Sequence, residues 1–131
     1  MSNTTMSRYT VKVIDEMAAI HGGTVKLAGA ELGVRSFGIQ VFDFPAGFDH
    51  YPEHDHTQDG QEEVYVVLRG SAEFELDGER VTVDPGRLLW VGAGTRRKLP
   101  PGAQDVRILA LGCTPGTSYE RPEDFQLGAA R

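Results

Sequence analysis

Apolar residues along the chain fall into short runs, each closed by glycine, proline or charge. The run EVYVVL (63–68) is continuously apolar after its glutamate, too short for a globular helix and rich in valine, so it predicts a strand. FGIQVFDF (37–44) carries apolar side chains on both parities, with β-branched and aromatic types, and predicts a strand whose two faces both meet something apolar. In SAEFELDGERVTVDPG the pattern alternates: Ala72, Phe74 and Leu76 point one way, Ser71, Glu73 and Glu75 the other, and Val81 and Val83 resume the apolar face. Asp77-Gly78 between two such segments predicts a hairpin turn. Asp84-Pro85-Gly86 makes the next turn, RLLWV (87–91) the next strand, and DVRILALGC (105–113) the last long one.

The ends are less regular. YTVKVI (9–14) reads as a short strand, and DEMAAIHGG (15–23) as one short helix with Asp15 as N-cap and Gly22-Gly23 as its stop. His21 then sits at the helix C-terminus, where an imidazole suits the dipole. The tail TPGTSYERPEDFQLGAAR is extended and weakly patterned, and is expected to lie over the barrel. Residues 1–8 read as a loose leader and 9–131 as a single domain with an extended C-terminal tail. Short strands separated by Gly/Pro turns predict an all-β class: a small antiparallel β-barrel or sandwich with a short N-terminal helix.

Charge and cysteine content narrow the partners. A net charge of -6 argues against nucleic acid and anionic membrane surfaces, and the basic cluster Arg96-Arg97-Lys98 is read as a solvated strand end. The single cysteine, Cys113, lies in an apolar run, where a thiol behaves as a small buried hydrophobe and no internal disulfide forms. No apolar signal region opens the chain and no stretch is long enough to span a bilayer, so a cytoplasmic location is the expectation.

The chemistry concentrates in HYPEHDHTQDGQEEVYVVLRG (50–70). Residues two apart on a strand share a face, so His54 and His56 aim both imidazoles one way while Asp55 points opposite. Two neutral imidazoles suit a borderline divalent ion, and Glu63, the last polar residue before the apolar run, offers a third ligand from the next strand. By the same parity Glu62 faces outward, as the fallback carboxylate if the register shifts, and His50 is a solvated loop residue or a substitute ligand. The same residues also describe a hydrated acidic loop with incidental histidines.

The stretch resembles the first motif of the cupin superfamily: a glycine, five residues, HxH, three or four residues, glutamate, six residues, glycine. Glu63 and Gly70 are separated by the required six, VYVVLR. Six residues, TQDGQE, separate His56 from Glu63, and six rather than five separate Gly47 from His54; both departures fall in loop-like sequence, where insertions are tolerated. GRLLWVGAGTRRKLPP (86–101) resembles the second motif, with Gly92 where proline is usual, Gly94 matching its glycine and Pro101 in place of asparagine. Arg97 stands where the resemblance places the last histidine ligand. A guanidinium has no lone pair to offer and stays charged, so it is no ligand.

Three readings follow. In the first, His54, His56 and Glu63 hold a divalent metal (iron, manganese, nickel or zinc) as a facial triad, with Arg97 clamping a substrate carboxylate or enolate. In the second, Arg97 pairs with Glu63 and leaves a metal-free pocket for an anion. In the third, the histidines only hydrogen-bond within the barrel mouth. Tyr65 and Val67 share Glu63's inward face, which makes the Tyr65 hydroxyl a second candidate to touch substrate. Leu88 and Trp90 or their neighbours also face inward, with Phe42 or Phe44 on the floor. The resemblance implies a barrel with a central cavity, a homodimer, and either metal-dependent action on a small oxygenated or carboxylated organic compound (a dioxygenase, isomerase or lyase type) or a non-catalytic small-molecule binding or sensing module.

Overall fold

The computed structural model describes residues 8–128. Two antiparallel sheets face each other in a jelly-roll arrangement, so the barrel is a sandwich rather than one continuous ladder. The larger sheet has the order β1-β2-β3-β9-β4-β7 and the smaller β6-β5-β8. The elements are β1 (Ala19–Ile20), β2 (Val25–Lys26), α1 (Ala28–Leu32), β3 (Gly38–Phe44), β4 (Glu62–Arg69), β5 (Ala72–Leu76), β6 (Glu79–Val83), β7 (Leu88–Val91), β8 (Arg97–Lys98) and β9 (Val106–Cys113).

The two apolar runs become the middle of the larger sheet. β9 lies between β3 and β4, pairing Val41 with Leu109 on one side and Val66 with Leu109 on the other. Tyr65, Val67, Ile108 and Ala110 point inward and meet Phe74, Ala72 and Val83 from the smaller sheet, forming the core with Phe44, Val91 and Leu99. The expected hairpin is present, with Leu76 opposite Glu79 and positive φ at both Asp77 (49°) and Gly78 (86°), the conformation a two-residue turn requires. Gly70, at φ +81°, carries the chain from β4 into the other sheet against the Asp105 carbonyl, leaving no room for a Cβ.

The N-terminal region departs from expectation. Residues 15–23 form no helix: Ile14–Glu16 is a single 3-10 turn, and Ala19–Ile20 pairs with Val25–Lys26 around His21-Gly22-Gly23. Three successive left-handed residues there, including His21 at φ 54°, are incompatible with a continuing helix, so His21 caps no dipole. Asp15 is no N-cap either; its carboxylate accepts from Arg107 on β9. The short helix is α1, downstream, ended by left-handed Gly33. Residues 9–13, patterned as a strand, have no strand partner among the described residues, and most of the proposed leader lies outside them.

Candidate metal centre and cavity

Two strand positions and one loop bring the predicted ligands together. His54 forms a bridge with Arg97, each backbone N–H donating to the other's carbonyl at 3.0 and 2.8 Å. The pairing fixes the HDH segment against β8. Glu63 enters from β4, facing inward with Tyr65 as parity requires. The ligand atoms of His54, His56 and Glu63 all lie within 4.8 Å of one another.

Both imidazoles are held by their outer nitrogens. His54 Nδ1 donates to the Pro52 carbonyl at 2.8 Å, and His56 Nδ1 donates to the Asp59 carboxylate at 3.1 and 3.2 Å. Each ring therefore presents Nε2, lone pair outward, to the space beside Glu63. His56 Nε2 is buried with no hydrogen-bond partner among the described residues and lies 3.6 Å from Glu63 Oε1. An unpartnered buried acceptor beside a carboxylate is costly unless something fills the gap, and imidazoles oriented by a carboxylate and a carbonyl are the usual support of a metal ligand. The donor set fits a divalent transition metal.

Asp59 comes from TQDGQE, the very segment that lengthens the motif. Gly60, at φ +72°, lets the loop turn so that its N–H returns to the His56 carbonyl at 2.8 Å and Asp59 reaches the His56 ring. Partial burial works against the charge of Asp59, but the Gln61 N–H and the His56 ring hold its carboxyl below the usual range. Asp55 turns away, as predicted, accepting from the Thr57 N–H and hydroxyl.

Arg97 is fully buried, with 0% of its side chain exposed. It donates to Glu63 Oε1 at 2.5 Å and to the carbonyls of Gly92 and Thr95 at 2.9 Å each. Burial opposes its charge, while the oxygens of Tyr65 and Glu63 hold the guanidinium ionised. It does not line the cavity. Tyr65 donates to the same Glu63 oxygen at 2.6 Å, and Tyr51, 2.9 Å from the Tyr65 oxygen, donates into it. Burial first, then the neighbouring Tyr51 and Glu63, push the Tyr65 phenol well above its ordinary range, so it stays a donor. Glu63 Oε2 keeps a single weaker contact, from the Gln61 amide at 3.2 Å. Oε1 thus takes both the Arg97 and Tyr65 donors and is also the oxygen nearest the His56 ring, while Oε2 meets only the Gln61 amide.

The cavity measures about 520 Å³ and is lined by the three ligands, Gln40, Phe42, Tyr51 and, on its far wall, Thr114 to Phe125 of the tail. Arg121 pins that wall by donating to the carbonyls of Gly29 and Val34 at 3.0 and 2.6 Å. No lysine or arginine lines it among the described residues. Beyond Tyr51 and Val25 a second hollow of about 480 Å³ is walled by Phe44, Phe48 and His50. His50 is exposed, bonds Asp49 and stays apart from the ligand group. Glu62 faces outward as expected, accepting from the Trp90 indole at 2.5 Å, and it is Leu89 and Val91, not Leu88 and Trp90, that face inward. The tail lies over the barrel as expected and also walls the cavity; Tyr51 and Asp59 were not singled out from the sequence, and only Asp59, inside a motif-lengthening loop, had a signal to find.

The fold is an all-β jelly roll in which two histidines and a glutamate converge on one cavity. The chain belongs to the Cupin_2 family of cupin domains, whose pattern it matches over residues 40–112. No curated protein matches it. Among solved structures it is similar to a cupin protein from Bacteroides fragilis, at TM-score 0.68 and 18% identity over 96% of this chain and 99% of that one. It is also similar to a DMSP lyase from Ruegeria pomeroyi, at TM-score 0.53 and 27% identity over 64% of this chain and 41% of that one. A predicted oxalate decarboxylase from Thermotoga maritima aligns at TM-score 0.52 and 23% identity over 59% and 65% of the two chains. Among the described residues no helix is long and apolar enough to cross a membrane.

Proposed function

We propose that this cupin, as one domain over residues 9–131, holds a divalent transition metal on His54 Nε2, His56 Nε2 and the Glu63 carboxylate and acts on a small oxygenated organic compound in the adjoining cavity. The observation that carries this is the buried, unpartnered Nε2 of His56, on a ring oriented by Asp59 and set beside Glu63. Iron, manganese, nickel or zinc at such a site supplies Lewis-acid activation of a substrate oxygen, and iron also one-electron chemistry. Neighbouring structures include proteins described as a lyase and a predicted decarboxylase, which supports chemistry on small oxygenated molecules without naming the reaction.

In this reading Arg97 and Tyr65 are positioning residues. Their donors converge on Glu63 Oε1, so they fix the orientation of the carboxylate beside the two imidazoles. Substrate orientation falls instead to Gln40, Tyr51 and the tail wall, and since no fixed cation lines the cavity, a substrate carboxylate has no partner there apart from the metal.

One observation favours a second reading. Arg97 already neutralises Glu63, which suits a metal-free module binding a small neutral ligand. Metal analysis of untagged protein separates the two. Near-stoichiometric metal, lost in His54→Ala and in Glu63→Gln, supports the catalytic reading; metal-free protein whose melting is unmoved by added cations supports the binding module. Arg97→His adds a ligand and removes a positive charge, and it should tighten metal binding. No change in affinity would refute the assigned site.

A further inference from the structure

The second hollow takes no part in the chemistry above, yet it is built. At about 480 Å³ it far exceeds the water-sized voids that a packed interior leaves, and it falls in the range of about 300–1,000 Å³ that holds small organic molecules. Its walls carry no carboxylate, lysine or arginine among the described residues, whereas Asp59, Glu63 and Glu120 line the metal cavity. Phe44 and Phe48 stack with ring centroids 4.4 Å apart and make an aromatic wall, and Phe44 stacks in turn on Phe42 of the first cavity at 5.2 Å. Both hollows are lined by His21, Val25, Tyr51 and Pro52, so they adjoin along one line. Tyr51 is fixed there by its hydroxyl, and its ring lies 5.6 Å from that of His54 and 5.8 Å from that of Phe44. His21, on the same line, has φ 54°, a left-handed backbone that glycine adopts at less cost. Strain of this kind where two cavities meet points to a contact made by the side chain.

We infer that the second hollow seats the apolar, aromatic end of the substrate whose oxygenated end lies at His54, His56 and Glu63, which makes the substrate class an elongated arylalkyl compound with an oxygen-bearing head. Only the position of that head rests on the metal reading. The Phe44 and Phe48 rings offer faces and edges to a further ring. A wholly polar substrate confined to the first cavity would leave this wall in water, and a charged tail in the second would lie without a fixed partner. The reach is short, because His54, Tyr51 and Phe44 are successive ring neighbours, and a chain of a few methylenes joins the two hollows. The rim is exposed at His21 and His50, so the occupant enters without opening the barrel.

Matched hydroxamic acids test it, since the hydroxamate chelates a metal while the rest of the molecule is varied. By calorimetry on zinc-loaded protein, the best of a series of ω-phenylalkanohydroxamates with two to six methylenes should bind about 10–100-fold tighter than acetohydroxamate, the effect of burying one aromatic ring. Phe48→Asp places a charge in the hollow, and His50→Trp narrows it from an exposed rim position without touching the core. In each variant the ratio of the two affinities should fall below about threefold, about what is left when the ring stays in water. Failure of the metal reading shows separately, as acetohydroxamate that binds the wild type no better than His54→Ala. The hollow is then read on its own with metal-free protein and 4-phenylbutan-1-ol, which should bind with a Kd of about 1 mM and about tenfold more weakly to both variants. A ratio near one in the wild type, a ratio that either folded variant leaves unchanged, or an alcohol that metal-free protein does not bind overturns the inference.

Discussion

Replacing Arg97 by methionine keeps the length of the side chain and removes its charge and donors. The structure sets the size of the effect. Three interactions vanish: the charge-assisted bond to Glu63 and the bonds to the Gly92 and Thr95 carbonyls. The two carbonyls belong to a half-exposed turn and regain water, so they add little. Glu63 does not recover so readily, since its carboxylate lies among Tyr65, His56 and Gln61 with 14% of the side chain exposed. Removing one partner of a buried ion pair leaves the other charge uncompensated, at a cost of about 3–5 kcal/mol. For a domain of this size, that is a fall in Tm of about 10–15 °C. Urea unfolding of metal-free protein measures the loss, and the Arg97→Met/Glu63→Gln double variant should recover at least half of it, because the stranded charge is gone. Added zinc should stabilise Arg97→Met more than the wild type, the released carboxylate being a stronger ligand with no guanidinium behind it. A single-variant loss below about 1 kcal/mol, the value of an exposed pair, would refute the burial on which the positioning role rests.

Other perturbations probe the surroundings. Asp59→Ala frees the His56 ring to rotate and should lower metal affinity about 10–100-fold, read by competition with a chromophoric chelator, while leaving apo stability within about 1 kcal/mol. Asp43 is opposed by burial but held below the usual carboxylate range by Arg107, at 2.7 and 2.9 Å, and by Lys26. A lowered folded-state pKa contributes stability above the unfolded value near 4 that disappears as pH falls through the folded value, so Asp43→Asn should cost about 1–2 kcal/mol at pH 7 and nothing in strong acid; parallel curves for the two proteins across that range would contradict it. Gly70→Ala puts a Cβ onto the Asp105 carbonyl in a left-handed conformation, and chemical denaturation should show a loss of about 2 kcal/mol or more.

Legibility differed along the chain for physical reasons. Strands β3 to β7 and β9 were readable because their patterns are local: continuous apolar runs, strict alternation, and an Asp-Gly turn that admits two positive φ values. Residues 15–23 misled because Asp15, the apolar Met17 to Ile20 and two closing glycines imitate a helix, whereas the Ala18 N–H is claimed by Glu31 at 2.9 Å and Ala19–Ile20 by β2, partners that composition does not reveal. The ligand group followed from spacing, since two-residue periodicity fixes which side chains share a face. The direction of Arg97 did not: a strand position says that a side chain points inward, and only the packed neighbours decide whether it reaches the cavity or turns to Glu63.

The placement of β9 has a consequence for biosynthesis. β3 and β4 do not pair with each other; within the larger sheet they are joined only through residues 106–113, which lie between them. During translation, roughly a hundred residues must therefore leave the ribosome before the central ladder can close, and until then two apolar strands each wait with one edge unpaired. Lowering the growth temperature, which slows aggregation of such waiting chains, should raise soluble yield more than any stabilisation of the finished fold.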